Sequence, residues 1–131
     1  VVVGGADPFG WKALRGSMGS ALRLPVARAT GAESIRAHAK THGLRILAAT
    51  PRGGTPAANV NLAHPCMIWL GSEGRGLGRT ISDYADELIS IPMHAPVESL
   101  NIAVAAALLV YEASRQRNRT PSISGRGERS A

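Results

Sequence analysis

Two loops of this 131-residue sequence combine residue types that could hold a ligand or do chemistry. The first, residues 70–78, reads LGSEGRGLG and contains four glycines, which let a backbone approach a ligand closely. It is not a dinucleotide fingerprint, because no long helix follows it directly, and it lacks the Gly-Lys-Ser/Thr ending of a phosphate loop. Since it follows an apolar run, we expect it at the carboxyl end of a parallel strand, where α/β proteins usually bind ligands. A plain turn is the alternative.

The second loop, residues 91–101, reads IPMHAPVESLN and leads from another apolar run into a predicted helix. The free amides and positive dipole end of a helix amino terminus attract electron-rich groups. Asn101 is predicted in the first turn of this otherwise apolar helix, where a buried amide that lacks hydrogen bonds costs about 1–3 kcal/mol. A helix cap with a structural asparagine is the alternative.

For the histidines and the cysteine, the other residues that could do chemistry, we expect structural roles. His38 and His42 lie four residues apart on a predicted helix, but no third ligand is near, so we expect a solvated helix face and no metal site. His64 and His94 are single loop histidines, and no Ser/His/Asp spacing supports a hydrolase. Cys66, in an apolar run, is predicted to be a core thiol.

Alternating strands and helices position the two loops. Largely apolar segments predict strands at residues 1–3, 44–49, 66–70 and 87–91, and helical spacing predicts a helix over residues 11–18. Thr30 and Glu33 form a predicted capping box that opens a helix of about 12 residues ending at Gly43. Ser99 is predicted to cap a long helix reaching about Gln116. That helix is apolar at Leu100, Val104, Ala107, Leu108 and Tyr111.

This alternation predicts an α/β fold with a mainly parallel sheet flanked by helices. Hydrophobic residues make up 44% of the chain, which is enough for a core. We expect one domain over residues 1–117. Residues 118–131 are rich in Ser, Gly and Arg and have little to bury, so a flexible basic tail is predicted.

Charge and composition limit which partners the protein is expected to bind and which compartment it is expected to occupy. The net charge is +6, and 13 of the 15 basic residues are arginine, whose planar fork suits phosphate recognition. Residues 1–52 hold eight basic and two acidic residues, whereas residues 53–113 hold two basic and six acidic. A polyanion partner is one interpretation, and an arginine-rich codon usage is the other. A lone cysteine favours a reducing compartment, the cytoplasm, and no apolar run approaches the roughly 18 residues of a membrane span.

Together the two loops resemble the SpoU (TrmH-like) family of RNA 2′-O-ribose methyltransferases in the SPOUT superfamily. Residues 70–78 are similar to the family's second motif, and residues 91–112, IPMHAPVESLNIAVAAALLVYE, to its third, in the family's order and separation. The stretch at residues 7–26 is similar to the segment that precedes the capped helix in the family. The resemblance implies an α/β sheet with a carboxyl-terminal trefoil knot, an exception to unknotted topology.

The resemblance also implies a site for S-adenosyl-L-methionine, built from the loops after three strands. The residues that would contact or adjoin the cofactor are Thr50, Leu70, Gly71, Ile91, Met93 and Leu100. Glu73, Ser99 and Asn101 would be the polar residues near the reacting centre. Family members are usually homodimers packed through the knot and the last helix, and no metal is required.

The expected substrate is RNA, either rRNA or tRNA, methylated on a ribose 2′-hydroxyl. Phosphate contacts would come from the basic front segment, and the candidate RNA-binding residues are Arg15, Ser17, Arg23 and Arg28; plain surface charge is the alternative. The family's first motif, Asn-x-Gly-x-x-x-Arg, has no counterpart, so we expect a carboxyl-terminal fragment with an incomplete catalytic site. A non-catalytic RNA-binding protein that keeps the fold, and a SPOUT enzyme that methylates a base, are the rival functions.

Overall fold

The computed structural model describes residues 1–72 and 76–119 of a chain that divides into two compact units, Val1–Leu44 and Arg45–Ala131. Glu73 and most of the predicted tail, residues 120–131, lie outside the described residues. The assignment of residues 1–117 to one domain stays a prediction.

The first unit contains a small parallel sheet and two helices. Its elements are β1 (Val2–Val3), α1 (Trp11–Gly16), a short 3-10 helix (Ser20–Leu22), β2 (Arg28–Ala29) and α2 (Ala32–Thr41). β1 and β2 pair in parallel, with Val2 opposite Arg28. The side chains of Arg28 and Asp7 form a 2.9 Å ion pair, and the Asp7 carboxylate also accepts a hydrogen bond from the Phe9 amide.

The predicted ends of α2 are half right. The capping box is wrong, because the residue that precedes the helix is Gly31 and no side chain caps it. Thr30 therefore lies one position too early for its hydroxyl to reach the third helical amide. The stop at Gly43 is confirmed: its φ is +63°, a left-handed conformation that glycine adopts without strain, and its amide donates to the Lys40 carbonyl.

The second unit is built on a four-stranded parallel sheet. Its elements are β3 (Arg45–Ala49), β4 (Thr55–Pro56), a 3-10 helix (Ala57–Asn59), β5 (Cys66–Trp69), α3 (Arg79–Ser82), β6 (Glu87–Ser90) and α4 (Ile102–Arg119). The strand order is β4-β6-β3-β5. The three strands predicted over residues 44–91 are confirmed as β3, β5 and β6. β4 was missed, because two residues inside a Gly/Pro-rich segment carry no strand periodicity.

The core of this unit lies between the sheet and α4. Leu47, Leu62, Ile89 and Leu109 are its fully buried large side chains. They pack in one cluster with Ala57, Val60 and Ala113. Because aliphatic side chains from β3 and β6 meet α4 directly, the beginning of α4 is held at the carboxyl end of the strands.

Helix α4 differs from its prediction at both ends and in its orientation. It begins at Ile102, later than a cap at Ser99 would give, and it continues to Arg119, into the predicted tail. Its buried residues are Leu109 and Ala113. The predicted apolar positions Val104, Ala107, Leu108 and Tyr111 are exposed. Residues 102–111 of the helix are all apolar, so spacing alone could not select the buried face there.

A hydrogen-bonded group on α4 fixes the segment between β4 and β5. The Gln116 side-chain amide donates to the Val60 carbonyl at 3.0 Å, and its oxygen accepts from the Leu62 amide at 2.8 Å. Glu112 orients this amide by accepting a second hydrogen bond from it. Hydrogen bonds from Arg115 and then Gln116 lower the pKa of the Glu112 carboxyl from 4.5 to about 2.

Candidate functional site

A cavity of about 410 Å³ lies at the carboxyl end of the four-stranded sheet. Segments that follow β3, β5 and β6 form its walls, together with the first two turns of α4. Its described lining consists of Ala49, Thr50, Pro51, Leu70, Gly71, Ser72, Gly76, Ile89, Ser90, Ile91, Met93, Ser99, Leu100, Asn101, Ile102, Ala105 and Leu109. The volume is within the usual range for small-molecule sites.

Most of the residues singled out from the sequence come together in this cavity. Eight of them line it: Thr50, Leu70, Gly71, Ile91, Met93, Ser99, Leu100 and Asn101. Glu73 is the ninth and lies outside the described residues. Sequence reasoning did not name Ala105 and Leu109, although they follow Asn101 at a spacing of four residues, which places all three on one helix face.

One wall depends on a close approach of two backbone segments. A Cβ atom added at Gly71 would lie 2.6 Å from the Gly76 Cα and even nearer to the Gly76 carbonyl carbon and the Leu77 nitrogen. The chain folds back here because the Gly76 amide donates to the Ser72 carbonyl at 2.9 Å, and Gly76 has a φ of +61°. Gly71 therefore has to lack a side chain for reasons of space.

A second wall is held against the end of β6. The Thr50 amide donates to the Ile89 carbonyl at 2.9 Å, and the Thr50 hydroxyl donates to the Arg52 carbonyl at 2.9 Å. Gly54 has a φ of +78°, and a Cβ there would lie 2.7 Å from the Leu88 carbonyl oxygen. The segment after β3 is thus fixed by backbone contacts.

Asn101 is the amino-terminal cap of α4. Its Oδ1 accepts hydrogen bonds from the amides of Ala103 at 2.9 Å and Val104 at 3.4 Å. The prediction that Asn101 lies within the first turn is wrong: the residue is exposed and precedes the helix, and it takes the capping position that was predicted for Ser99. Ser99 and Leu100 precede this cap and line the cavity.

The chemical character of the described lining is apolar with neutral polar groups. Hydroxyls come from Thr50, Ser72, Ser90 and Ser99, and no residue of this described lining is ionisable. Such a surface suits a ligand with a large apolar area whose polar atoms bond to backbone groups and hydroxyls.

An ion pair at the rim joins two of the walls. Arg52 Nη2 and Glu98 Oε1 lie 2.6 Å apart, and the two side chains are 73% and 76% exposed. Arg52 follows Pro51, and Glu98 precedes Ser99, so each partner adjoins a residue of the lining.

The four predicted RNA-binding residues lie in the first unit and have different surroundings. Arg15 is exposed, with its guanidinium carbon 6.0 Å from the Trp11 ring centroid, and Arg23 is exposed at the end of the 3-10 helix. The Arg28 guanidinium is paired with Asp7. The Ser17 hydroxyl donates to the Leu14 carbonyl and accepts from the Ala21 amide, so it has a local structural role.

The described residues offer neither a metal centre nor a membrane-spanning helix. Among residues 1–72 and 76–119, no group of three or more His, Cys, Asp and Glu side chains is arranged to hold a metal ion. Within the same described ranges, no helix has both the length and the apolar character needed to cross a membrane. His38 and His42 are exposed, with ring centroids 4.1 Å apart.

A parallel sheet with a ligand-sized cavity at the carboxyl ends of its strands defines the class of the protein, an α/β ligand-binding fold. The family follows from the sequence. The model of the SpoU rRNA Methylase family matches residues 1–111, so the chain belongs to that family.

Individual relatives agree with this membership. The chain is 41% identical over 107 residues to an uncharacterized tRNA/rRNA methyltransferase of Mycobacterium tuberculosis (strain ATCC 25177 / H37Ra), covering 82% of this chain and 33% of that protein. It therefore spans about a third of the length of these curated relatives.

Two solved structures extend the comparison to three dimensions. One is the SpoU methyltransferase AviRb from Streptomyces viridochromogenes in complex with the cofactor AdoMet, with a TM-score of 0.80, 29% identity, and coverage of 90% of this chain and 49% of AviRb. The other is an RNA 2′-O ribose methyltransferase with a TM-score of 0.80, 35% identity, and coverage of 89% and 45%. The chain therefore has the parallel α/β fold of SpoU methyltransferases.

Proposed function

We propose that this chain is the cofactor-binding part of an S-adenosyl-L-methionine-dependent RNA methyltransferase that modifies a ribose 2′-hydroxyl of tRNA or rRNA. The observation that carries the proposal is the convergence of eight predicted site residues on one cavity of about 410 Å³. Membership of the SpoU family and similarity to a structure that contains AdoMet support it.

The cavity fits such a cofactor by its chemistry. Leu70, Ile91 and Leu100 offer apolar surface for a purine ring, and the backbone after β5 and β6 offers amides and carbonyls for its polar edge. Gly71 keeps one wall clear of side-chain atoms, because a Cβ there meets backbone on the opposite side of the fold-back. The Ser99 hydroxyl is available to ribose or carboxylate oxygens, and the Thr50 hydroxyl oxygen, whose proton is donated to the Arg52 carbonyl, can accept from a ribose hydroxyl.

When bound, the cofactor would supply an electrophilic methyl group. The task of the protein is then to hold donor and acceptor in line, which lowers the entropy cost of the reaction, and to help remove the hydroxyl proton. We assign the polar positions near the reacting centre to Glu73, Ser99 and Asn101. The Asn101 cap contributes by fixing the direction in which the chain enters α4.

RNA would be held by arginine in the first unit. Arg15 and Arg23 are exposed and suit phosphate binding, whereas Arg28 would first have to leave Asp7. Ser17 is better placed to fix the turn after α1 than to bind RNA with its hydroxyl, because both hydrogen bonds of that hydroxyl are local. The cytoplasm, where tRNA and rRNA are found, is the proposed location.

The exposed apolar positions of α4 favour a homodimer. Val104, Leu108 and Tyr111 lie on one helix face and are 48%, 44% and 68% exposed. A second copy of the chain that packs along α4 would cover this face. Because α4 packs on the core of the second unit, the contact would join the sheet-and-helix units of the two copies. In sedimentation equilibrium we expect the mass of two chains for the protein and of one chain for Leu108→Glu. A monomeric unsubstituted protein would contradict the homodimer.

We also propose that the second unit, which contains the four-stranded sheet, has the trefoil knot of the family. β6 lies between β3 and β4 in the sheet, although β4 precedes it in sequence. The segment between β3 and β4 must therefore cross one end of β6, and its contacts with Leu88 and Ile89 lie near the carboxyl end of that strand. Such a crossing is the arrangement that a knotted chain requires.

The reaction is tested with the complete gene product that contains these residues. Transfer of a radiolabelled methyl group from S-adenosyl-L-methionine to unmodified tRNA and rRNA is followed by nuclease digestion and nucleoside chromatography. We expect the label in a 2′-O-methylated nucleoside. Label in a base with an unmodified ribose would identify a base methyltransferase, and RNA binding with no transfer to any RNA would favour a non-catalytic binding protein.

A further inference from the structure

The rim of the cavity carries one charged contact whose chemistry the proposed function does not use. Arg52 and Glu98 belong to the segments after β3 and β6, and their 2.6 Å ion pair connects these segments at the surface. Both side chains are about three-quarters exposed, so water and solutes reach them freely. Arg52 and Glu98 are not themselves part of the lining, but the chain neighbours Pro51 and Ser99 are, so the pair lies next to the lining on both sides.

Arg52 also differs in position from the other paired arginines of the second unit, Arg45–Ala131. Arg45 begins β3 and pairs with Glu87 at the beginning of β6, so that ion pair is at the amino end of the sheet. Arg115 pairs with Glu112 along α4. Among the ion pairs between residues that the structure describes, the Arg52 pair is the one that adjoins the cavity lining on both sides.

The proposed acceptor, a ribose of RNA, has a negatively charged phosphodiester next to the hydroxyl that would react. A ribose whose 2′-hydroxyl enters the cavity carries a phosphodiester on the adjacent 3′-oxygen, and that anion has to remain near the rim. A guanidinium binds carboxylate and phosphate through the same planar pair of N–H groups, so one anion can replace the other on Arg52. An exposed ion pair contributes little net stability, so replacing the Glu98 carboxylate by a phosphate on Arg52 costs little free energy.

We infer that Arg52 binds a backbone phosphate of the acceptor RNA and that Glu98 is the carboxylate which this phosphate displaces. The inference rests on the proposed function, because it requires RNA at the mouth of the cavity. Glu98 thus lowers RNA affinity by occupying Arg52, and it keeps the guanidinium over the cavity edge when RNA is absent.

The exchange predicts effects of opposite sign for the two partners. Loss of Arg52 removes a phosphate contact, whereas loss of the Glu98 charge frees Arg52 for RNA. A pair that served only to hold the two loops together would give the same sign for both. Because Glu98 acts through Arg52, removing both should resemble removing Arg52 alone.

The test is fluorescence anisotropy with a 5′-fluorescein-labelled 20-nucleotide RNA, since phosphate contacts do not depend on sequence. The proteins are the complete gene product, Arg52→Gln, Glu98→Gln, the double variant, and two controls at the amino end of the sheet. Arg45→Gln and Glu87→Gln make the same charge changes in an ion pair remote from the cavity, so they measure the effect of net charge alone.

We expect Arg52→Gln to weaken RNA binding about five- to tenfold and to reduce the slope of log K against log salt by about 0.7. Glu98→Gln should tighten binding about three- to fivefold, and the controls should stay within about twofold of the unsubstituted protein. Weaker binding by both Arg52→Gln and Glu98→Gln, or equal effects of Glu98→Gln and Glu87→Gln, would overturn the exchange.

Failure of the inference is distinguishable from failure of the proposed function. If the unsubstituted protein methylates and binds RNA while Arg52→Gln binds it unchanged, the exchange is wrong and the methyltransferase stands. If the unsubstituted protein neither binds nor methylates RNA, the proposed function is wrong and the exchange falls with it.

Discussion

Replacing Gly71 by alanine tests the wall of the cavity at one atom. The added Cβ would lie 2.6 Å from the Gly76 Cα and nearer still to two other backbone atoms, whereas real Cβ contacts essentially never fall below 3.0 Å. The backbone at Gly76 and Leu77 therefore has to move by about 1 Å, because no side chain is there to rotate away. Gly71, Ser72 and Gly76 all line the cavity, so the movement changes its shape.

The size of the effect follows from the cost of forcing extra atoms into a packed site. Such strain typically amounts to about 1–3 kcal/mol, and if it appears in binding, the Kd for S-adenosyl-L-methionine rises about 5- to 150-fold. Gly78→Ala is the matched control, since it makes the same change in the same glycine-rich segment. Gly78 has a φ of −59°, and a Cβ there meets nothing within 4 Å.

Isothermal titration calorimetry on both variants and on the unsubstituted protein measures the difference, with thermal unfolding to verify that each is folded. We expect a loss of at least about fivefold for Gly71→Ala and less than twofold for Gly78→Ala. A folded Gly71→Ala protein that binds the cofactor as tightly as the unsubstituted protein would refute the reasoning.

Three further variants test the structure around the site. Asn101→Ala should lower methyl-transfer activity of the complete gene product at least about tenfold and destabilise α4 by about 1 kcal/mol, whereas Asn101→Asp keeps the cap; activity restored in full by aspartate would limit Asn101 to capping. Leu109→Ala should lower the free energy of unfolding by about 2–5 kcal/mol in urea titration, and Val110→Ala, at the exposed neighbouring position, should change it far less. Because the pKa of Glu112 falls from 4.5 unfolded to about 2 folded, its ionised form stabilises the protein above pH 4.5, and this advantage over Glu112→Gln should disappear as the pH falls towards 2; a difference in unfolding temperature that persists at pH 2 would contradict that assignment.

The parts of the fold that could be predicted are those with strong local signals. The largely apolar segments at residues 44–49, 66–70 and 87–91 predicted β3, β5 and β6, because the strands of a parallel sheet flanked by helices are rich in apolar residues. Gly43 predicted the end of α2, since its positive φ is a local property of one residue. The placement of the two loops at the carboxyl ends of their strands followed from the parallel arrangement, whereas the family resemblance implied that the loop after β3 joins them.

The parts that were missed depend on tertiary contacts. β4 is two residues long and exists because Thr55 and Pro56 pair with β6, which lies more than 30 positions later in the sequence. The buried face of α4 is selected by the sheet, and no periodicity distinguishes Leu109 from Leu108. The Thr30 capping box failed because helix α2 begins after Gly31, a difference of one residue that propensity does not resolve.

The candidate site was predictable as a set of residues and unpredictable as a set of contacts. Eight named positions do share one cavity, since motifs at strand ends determine which segments converge. The close approach of Gly71 to Gly76 and the rim pair of Arg52 with Glu98 required coordinates. From the sequence, Arg52 was only one of the eight basic residues among residues 1–52. No local pattern connects it with Glu98, which lies 46 positions away.

Calorimetric titration of the purified protein with S-adenosyl-L-methionine tests the central claim most directly, because the proposed methyl transfer depends on a cofactor in this cavity. We expect saturable binding of one cofactor per chain, with competition by S-adenosylhomocysteine, which has the same adenosine and amino acid parts. A folded protein that shows no binding at millimolar cofactor would contradict it.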